Sequence, residues 1–304
     1  MALQIIYSPD LVADICAEIV INATIKKNFP DELIIGEEDG TVIDMSMHQS
    51  IQHIFSKAGL NGINVATAAD VAQILQPGTV KSPARYWTVD PIDGTKGFIR
   101  GDQYAVCIAL VDCASGDPII ACMGCPNLTY ADYDGVIAVC IKGHGIYCTD
   151  LNGTIGLLKP ISNLSLNSRL DDAVFTGAFE QTHTKTIEID TIKKHVCNAT
   201  VTVRLDSQAK YLILALGLAQ VYYRRHQNPG TTAFEAAADY TEAIWDNAPG
   251  AAFVVEVGGQ VTDFAGNPLK FNEPKPHFTI VGGVLASTLT KEAHERVLGI
   301  INTW

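Results

Sequence analysis

A layered α/β (α+β) fold is the class this sequence predicts, and three observations predict it. From Ser8 to Phe29 apolar residues recur at helical spacing. Between Arg85 and Ile141 short extended runs follow one another with little room for helix. From about Asp171 strand-like and helix-like stretches alternate, as they do when helices cover a sheet. Two sub-domains sharing a cleft are expected, residues 1–160 and 161–304, with the seam near residue 160.

The elements follow in order. In "SPDLVADICAEIVINATIKKNF" Leu11, Ile15 and Ile19 share a stripe with Val12 and Cys16 beside it, and Pro30 stops the helix. Asp14 and Glu18 lie on one side of that helix, one turn apart. "ELIIGEEDG" is a short buried strand running into acids. Helical stretches are expected around Ser50 to Ala58 and Ala66 to Leu75. "RYWTVD" is a strand, and Tyr104 to Val111, Ile119 to Met123 and Val136 to Ile141 are three more, with "KGHGIY" as a hairpin turn. In the second half the pattern predicts strand "AVFTGA", a helix from Thr184 to Val196, strand "TVTVRL" and helix "SQAKYLILALGLA". Strand "QVYYRR", an irregular insert, a helix from Asp246 and strand "FTIVGG" complete it.

Composition excludes several functions. Hydrophobic residues at 47% and charged ones at 18% are an ordinary globular balance, so no tract is expected to be disordered. A formal net charge of −12 argues against a partner such as a nucleic-acid polymer, which needs a basic face, but leaves room for a small anion held locally. The apolar runs are too short to span a membrane, and "MALQIIYSPD" lacks the parts of a secretory signal, so a cytoplasmic protein with reduced cysteines is expected; the sequence does not set the oligomeric state, for which a monomer is the expectation. Cys122 and Cys125 form a CxxC with no second pair at zinc spacing, which favours small buried residues at a strand end over a metal site.

Chemistry concentrates in three acid clusters. Glu37, Glu38 and Asp39 read singly as a solvated loop, Asp90 and Asp93 as turn formers around Pro91, and Asp246 as a helix N-cap. Together they read differently, because each acid stands at a strand end or helix start, where the backbone holds a carboxylate still. Hard oxygen ligands are what magnesium takes, and a cation between Asp90 and Asp93 would relieve their repulsion. Gly94 and Thr95 follow at once and offer backbone N–H groups to an anion. A metal beside an anion cradle points to phosphoryl chemistry.

"GEED" at 36–39, "DPIDGTKGF" at 90–98 and "WDNAPG" at 245–250 resemble the lithium-sensitive, magnesium-dependent phosphatases related to inositol monophosphatase. "DPIDGTKGFIRGDQYAVCIALV", "GCPNL" and "LDSQAKYLILALGLAQVYYR" resemble, more closely, the 3′(2′),5′-bisphosphate nucleotidases within that superfamily. The resemblance covers most of the chain and implies an αβαβα sandwich. It implies a phosphatase of sulfate assimilation that removes the 3′-phosphate of adenosine 3′,5′-bisphosphate to give AMP, with the sulfated relative as a further substrate. It also implies two or three Mg²⁺ ions held by Glu37, Asp90, the Ile92 carbonyl, Asp93 and Asp246. In the same way Asp14 and Thr95 are implied to activate water, Gly94 and Thr95 to cradle the scissile phosphate, and Ser207, Lys210 and Arg224 to form the nucleotide pocket, with Glu180 and His183 near the ribose or second phosphate.

The chain departs from the family in three places, one of them "SPDL" at 8–11 where the family has "SPVT". It begins close to "SPDLVAD", where the family carries a leading helix and lid loop, so either a shortened lid or a truncated form is expected. Residues 225–241 are longer than usual and are expected to reshape the rim of the base pocket. The rival readings are an inositol or sugar phosphatase on the same metal core and an inactive nucleotide-binding protein, the latter opposed by the complete set of metal positions.

Overall fold

The computed structural model describes residues 8–38, 40, 43–76, 83–153, 159–160, 166, 170–179, 202–225 and 240–302. The expected helix from Thr184 to Val196, most of the 225–241 insert, Asp39, Glu180 and His183 lie outside the described residues.

Helix α1 (Pro9–Asn28) begins with a proline, which needs no hydrogen-bond partner for its nitrogen there. It leads into β1 (Leu33–Gly36), α2 (Met45–Ala58) and α3 (Ala68–Leu75). Helix α2 starts five residues before the expected position, because Asp44 caps it by accepting from the Met47 N–H. At α3 a capping box pairs Thr67 with Asp70. Next come β2 (Arg85–Asp93), the short α4 (Thr95–Arg100), β3 (Ala105–Asp112), β4 (Pro118–Tyr130), β5 (Tyr133–Ile141), β6 (Gly145–Thr149) and β7 (Lys159–Pro160). Strands β1 to β7 form one sheet in chain order, parallel between β1 and β2 and antiparallel elsewhere.

The second sheet is built from β8 (Phe175–Gly177), β9 (Thr202–Arg204), β10 (Val221–Arg225), β12 (Gln260–Asp263) and β14 (Gly283–Ser287), in the order β12-β14-β10-β8-β9. Strands β11 (Tyr240–Ala243) and β13 (His277–Ile280) pair separately. Helices α5 (Ala209–Ala215) and α6 (Ala248–Glu256) are buried almost all round, and α7 (Lys291–Ile301) closes the described chain. The expected helix from "SQAKY" is shorter than its sequence pattern, and "FTIVGG" divides between β13 and β14.

The layers can be read from who packs on whom. On β2, Trp87 and Val89 face one way, onto Ile25 of α1, while Tyr86 faces the other, into a core shared with α5, α6 and the second sheet. Residues of α1, α2 and α3 pack together outside the first sheet. On the second sheet, Phe175, Val221 and Leu285 pack against Val297 and Ile301 of α7. The order is helix, sheet, helix, sheet, helix, as the resemblance implied. Cys122 and Cys125 pair with Val139 and Val136 three residues apart in an unbroken register, so their side chains point to opposite faces of β4. They share no site. Among the described residues no helix is long and apolar enough to cross a membrane.

Candidate active site

Strand β2 answers why two carboxylates three positions apart work together. Alternation alone puts residues 90 and 93 on opposite faces of a sheet. Here Asp90 pairs with Cys107 and Asp93 with Ala105, so three steps on β2 match two on β3. That extra residue, at the Pro91 break, is a bulge, and it returns Asp93 to the face of Asp90. Both carboxylates then point inward, towards the start of α6.

Asp246 arrives there from the other end of the chain. Carboxylate oxygens of Asp90, Asp93 and Asp246 all lie within 4.8 Å of one another. Asp246 is not the helix cap, since Asn247 occupies the N-cap of α6, and this leaves the Asp246 carboxylate to the cluster. Glu37 joins through the parallel pairing of β1 with β2: its N–H donates to the Val89 carbonyl, and its side chain is hydrogen-bonded to Asp90. The Ile92 carbonyl accepts from the Thr95 hydroxyl at 3.4 Å.

The electrostatics are those of a site built for a cation. Asp90 is 1% exposed, and its Oδ1 has no hydrogen-bond partner. Burial first, then Asp93, Glu37 and Asp246, push its carboxyl well above the usual range. Burial and Asp93 raise Asp246 to about 8. Burial likewise raises Asp93, although Lys210 and the Gln208 N–H oppose the shift. Acids crowded like this, the buried Asp90 with an orphaned oxygen and Asp93 and Asp246 half-buried beside it, are the donor set a hard divalent ion fits.

Asp14 projects from α1 on the Glu37 side. It is buried, its Oδ1 is also unpartnered, and burial together with Glu38 and Glu37 raises it to about 8. One turn on, Glu18 is fully buried and accepts from the Glu38 N–H at 2.9 Å and from Asn22 at 3.2 Å. Sequence reasoning saw Glu18 beside Asp14 but gave it no role. The structure makes it the prop of the loop that presents Glu37.

Beside the acids a cavity of about 320 Å³ opens, lined by Gly94, Thr95, Ser207, Lys210, Arg224 and Asp246 among others. Gly94 has φ +87, and a Cβ there would lie 3.0 Å from the Ser207 Cβ and 3.1 Å from its nitrogen, so only glycine fits. Ser207 is itself left-handed at φ 66. Lys210 is 7% exposed, and its ammonium donates to the carbonyls of Leu205 at 3.2 Å and Ser207 at 2.6 Å. Burial lowers it to about 8 although Asp93 opposes this. Arg224 stands 3.7 Å from Glu242 and 3.9 Å from Asp246. Burial works against its charge, but Glu242 and Asp246 outweigh that and hold it above its ordinary value. Glu242 and Gln208 were missed by sequence reasoning, since a lone acid or amide carries no signal until its partners are known.

Inward acids suited to a divalent ion, facing a cavity with a tight Gly–Thr turn, the buried Lys210 and the half-buried Arg224, define the site of a metal-dependent phosphatase. Residues 8–303 match the inositol monophosphatase family, and the chain belongs to it. It is 36% identical over 293 residues to the 3′(2′),5′-bisphosphate nucleotidase 2 of Candida albicans, covering 87% of this chain and 78% of that one. It is 32% identical over 284 residues to the 3′(2′),5′-bisphosphate nucleotidase of Schizosaccharomyces pombe, covering 87% and 76%. Among solved structures, an inositol monophosphatase/NADP phosphatase complexed with Mg²⁺ and phosphate superposes with a TM-score of 0.60 at 14% identity, over 96% of this chain and 81% of that one.

Proposed function

We propose that this protein is a magnesium-dependent 3′(2′),5′-bisphosphate nucleotidase, which hydrolyses adenosine 3′,5′-bisphosphate to AMP and inorganic phosphate. The observation that carries this reading is the pairing, in one cavity, of an acid cluster with two cations, the buried Lys210 and the half-buried Arg224. A substrate with two phosphates has a use for both: one phosphate is cut at the acids, the other is held by the cations. The nucleotidase names of relatives at 32–36% identity agree with it.

In this reading Glu37, Asp90, Asp93, Asp246 and the Ile92 carbonyl would hold magnesium. When bound, magnesium offsets phosphate charge and makes water a stronger nucleophile at neutral pH. Gly94 and Thr95 hold the scissile phosphate by backbone N–H groups. Asp14 accepts the proton of the attacking water, and Thr95 orients that water through its hydroxyl. Oxygen from water bonds to phosphorus, the bond to the ribose 3′-oxygen breaks, and that oxygen takes a proton. Residues up to 160 supply most of the acids, and those beyond it supply the nucleotide pocket and Asp246.

Phosphate release from adenosine 3′,5′-bisphosphate, with inositol 1-phosphate alongside, tests the proposal with and without magnesium. Magnesium-dependent turnover that favours the nucleotide is expected. Preference for the inositol phosphate would move the protein to another branch of the family.

A further inference from the structure

Three segments far apart in the chain supply the acids, and one residue outside the acid set is bonded to two of them, one through its backbone and the other through its side chain. Gln208 is 3% exposed, at the foot of α5. Its backbone N–H donates to the Asp93 carboxylate. Its side-chain amide donates to the Trp245 carbonyl at 2.7 Å and accepts from the Gly250 N–H at 3.0 Å. The amide therefore grips the chain on both sides of Asp246, while the backbone of the same residue grips Asp93.

The surroundings make this grip stiff. Lys210 donates to the Ser207 carbonyl, holding the turn just before Gln208 in its left-handed conformation. Tyr211 donates to Asn247 at 2.8 Å, and a Cβ on Gly250 would lie 2.3 Å from the Tyr211 ring, so α5 and the start of α6 are in close contact. Without such ties, Asp93 and Asp246 repel and move apart. The spacing of two carboxylates from opposite ends of the fold depends on what bridges them.

We infer that Gln208 is a positioning residue for the metal site, setting the separation of Asp93 and Asp246 and through it the affinity for the divalent ion. This rests on the metal-dependent phosphatase reading. Groups that orient metal ligands are worth about ten- to hundredfold in metal affinity. Loss of both amide bonds in Gln208→Met, which keeps the side-chain bulk, is expected to raise the magnesium concentration for half-effect about tenfold or more. Gln208→Glu keeps an acceptor for the Gly250 N–H and loses the donor to Trp245, and is expected to shift the midpoint at least about threefold.

The test titrates magnesium into purified wild-type and both variants, following thermal stabilisation without substrate and, separately, turnover of adenosine 3′,5′-bisphosphate. In the variants the midpoints should rise in both readouts, with turnover recovering at saturating magnesium. A residue that only supports packing would lower the melting temperature of the metal-free protein and leave the midpoints where they are. Midpoints within about twofold of wild type, in whichever variant folds, overturn the inference. The binding readout needs no turnover. A wild type that binds magnesium but leaves the nucleotide intact overturns the functional reading alone, and the binding midpoints still decide on Gln208.

Discussion

Asp90→Asn should make the metal-free protein more stable while nearly abolishing its activity. Oxygens of Asp90, Asp93 and Asp246 lie within 4.8 Å of one another. Two unit charges at that distance repel by about 3.5 kcal/mol, taking an effective dielectric of about 20. Partial protonation reduces this, since Asp246 sits at about 8. Asp90 itself is held well above the usual range and so carries only part of its charge at pH 8, and removing it is expected to return about 1 kcal/mol, or about 2 °C in melting temperature. The new amide has a partner at hand, because Glu37 is already hydrogen-bonded to Asp90 and can accept from it. Turnover should fall about a thousandfold or more, as the ion loses its most buried ligand. Melting curves in EDTA and with magnesium, beside phosphate release, provide the measurement. A variant that melts below wild type in EDTA would refute the repulsion argument, and near-normal turnover would remove Asp90 from the site.

The other predictions use the same geometry. Burial raises Asp14 and Asp246 to about 8, so between the ordinary carboxylate range and that value the folded protein binds more protons than the unfolded chain. The associated stability is complete below about pH 4 and lost as pH rises through about 8, so the metal-free melting temperature should fall from pH 6 to pH 9. Over the same range the stabilisation by magnesium should grow, because its ligands must be ionised, and a flat profile would count against both. Lys210→Met should lower kcat/KM for the bisphosphate about ten- to hundredfold more than for a 3′-monophosphate, as one or two charge-assisted contacts to the uncut phosphate are lost. Arg224→Met should depress both substrates, since Arg224 also faces Asp246 at 3.9 Å; selectivity in that variant would show that its contact with Asp246 is incidental. Lithium at about millimolar concentration should inhibit turnover, because a singly charged ion in a magnesium position stabilises the leaving oxygen less well. Indifference to lithium would place the protein apart from the lithium-sensitive branch.

What the sequence determined by itself was local or carried in short phrases. The apolar stripe of α1, the runs that became β1 to β5 and the order of the three acid motifs were legible, because period and turn chemistry depend on neighbours in the chain. Helix α7 was not foreseen, and neither was the narrow extent of α5, whose "SQAKYLILALGLA" is buried almost all round and so shows no amphipathic stripe. Tertiary structure alone decided which acids meet. The bulge at Pro91 turns Asp93 to the face of Asp90, and Asn247 takes the cap that Asp246 had seemed suited to. It also decided that Lys210 is buried over backbone carbonyls, that Glu18 props the Glu37 loop, and that Gln208 spans two segments. The reason is physical. A repeat of apolar residues encodes one face of one element, whereas a carboxylate's partners come from whatever the packing of two sheets and two inner helices brings within a few ångströms.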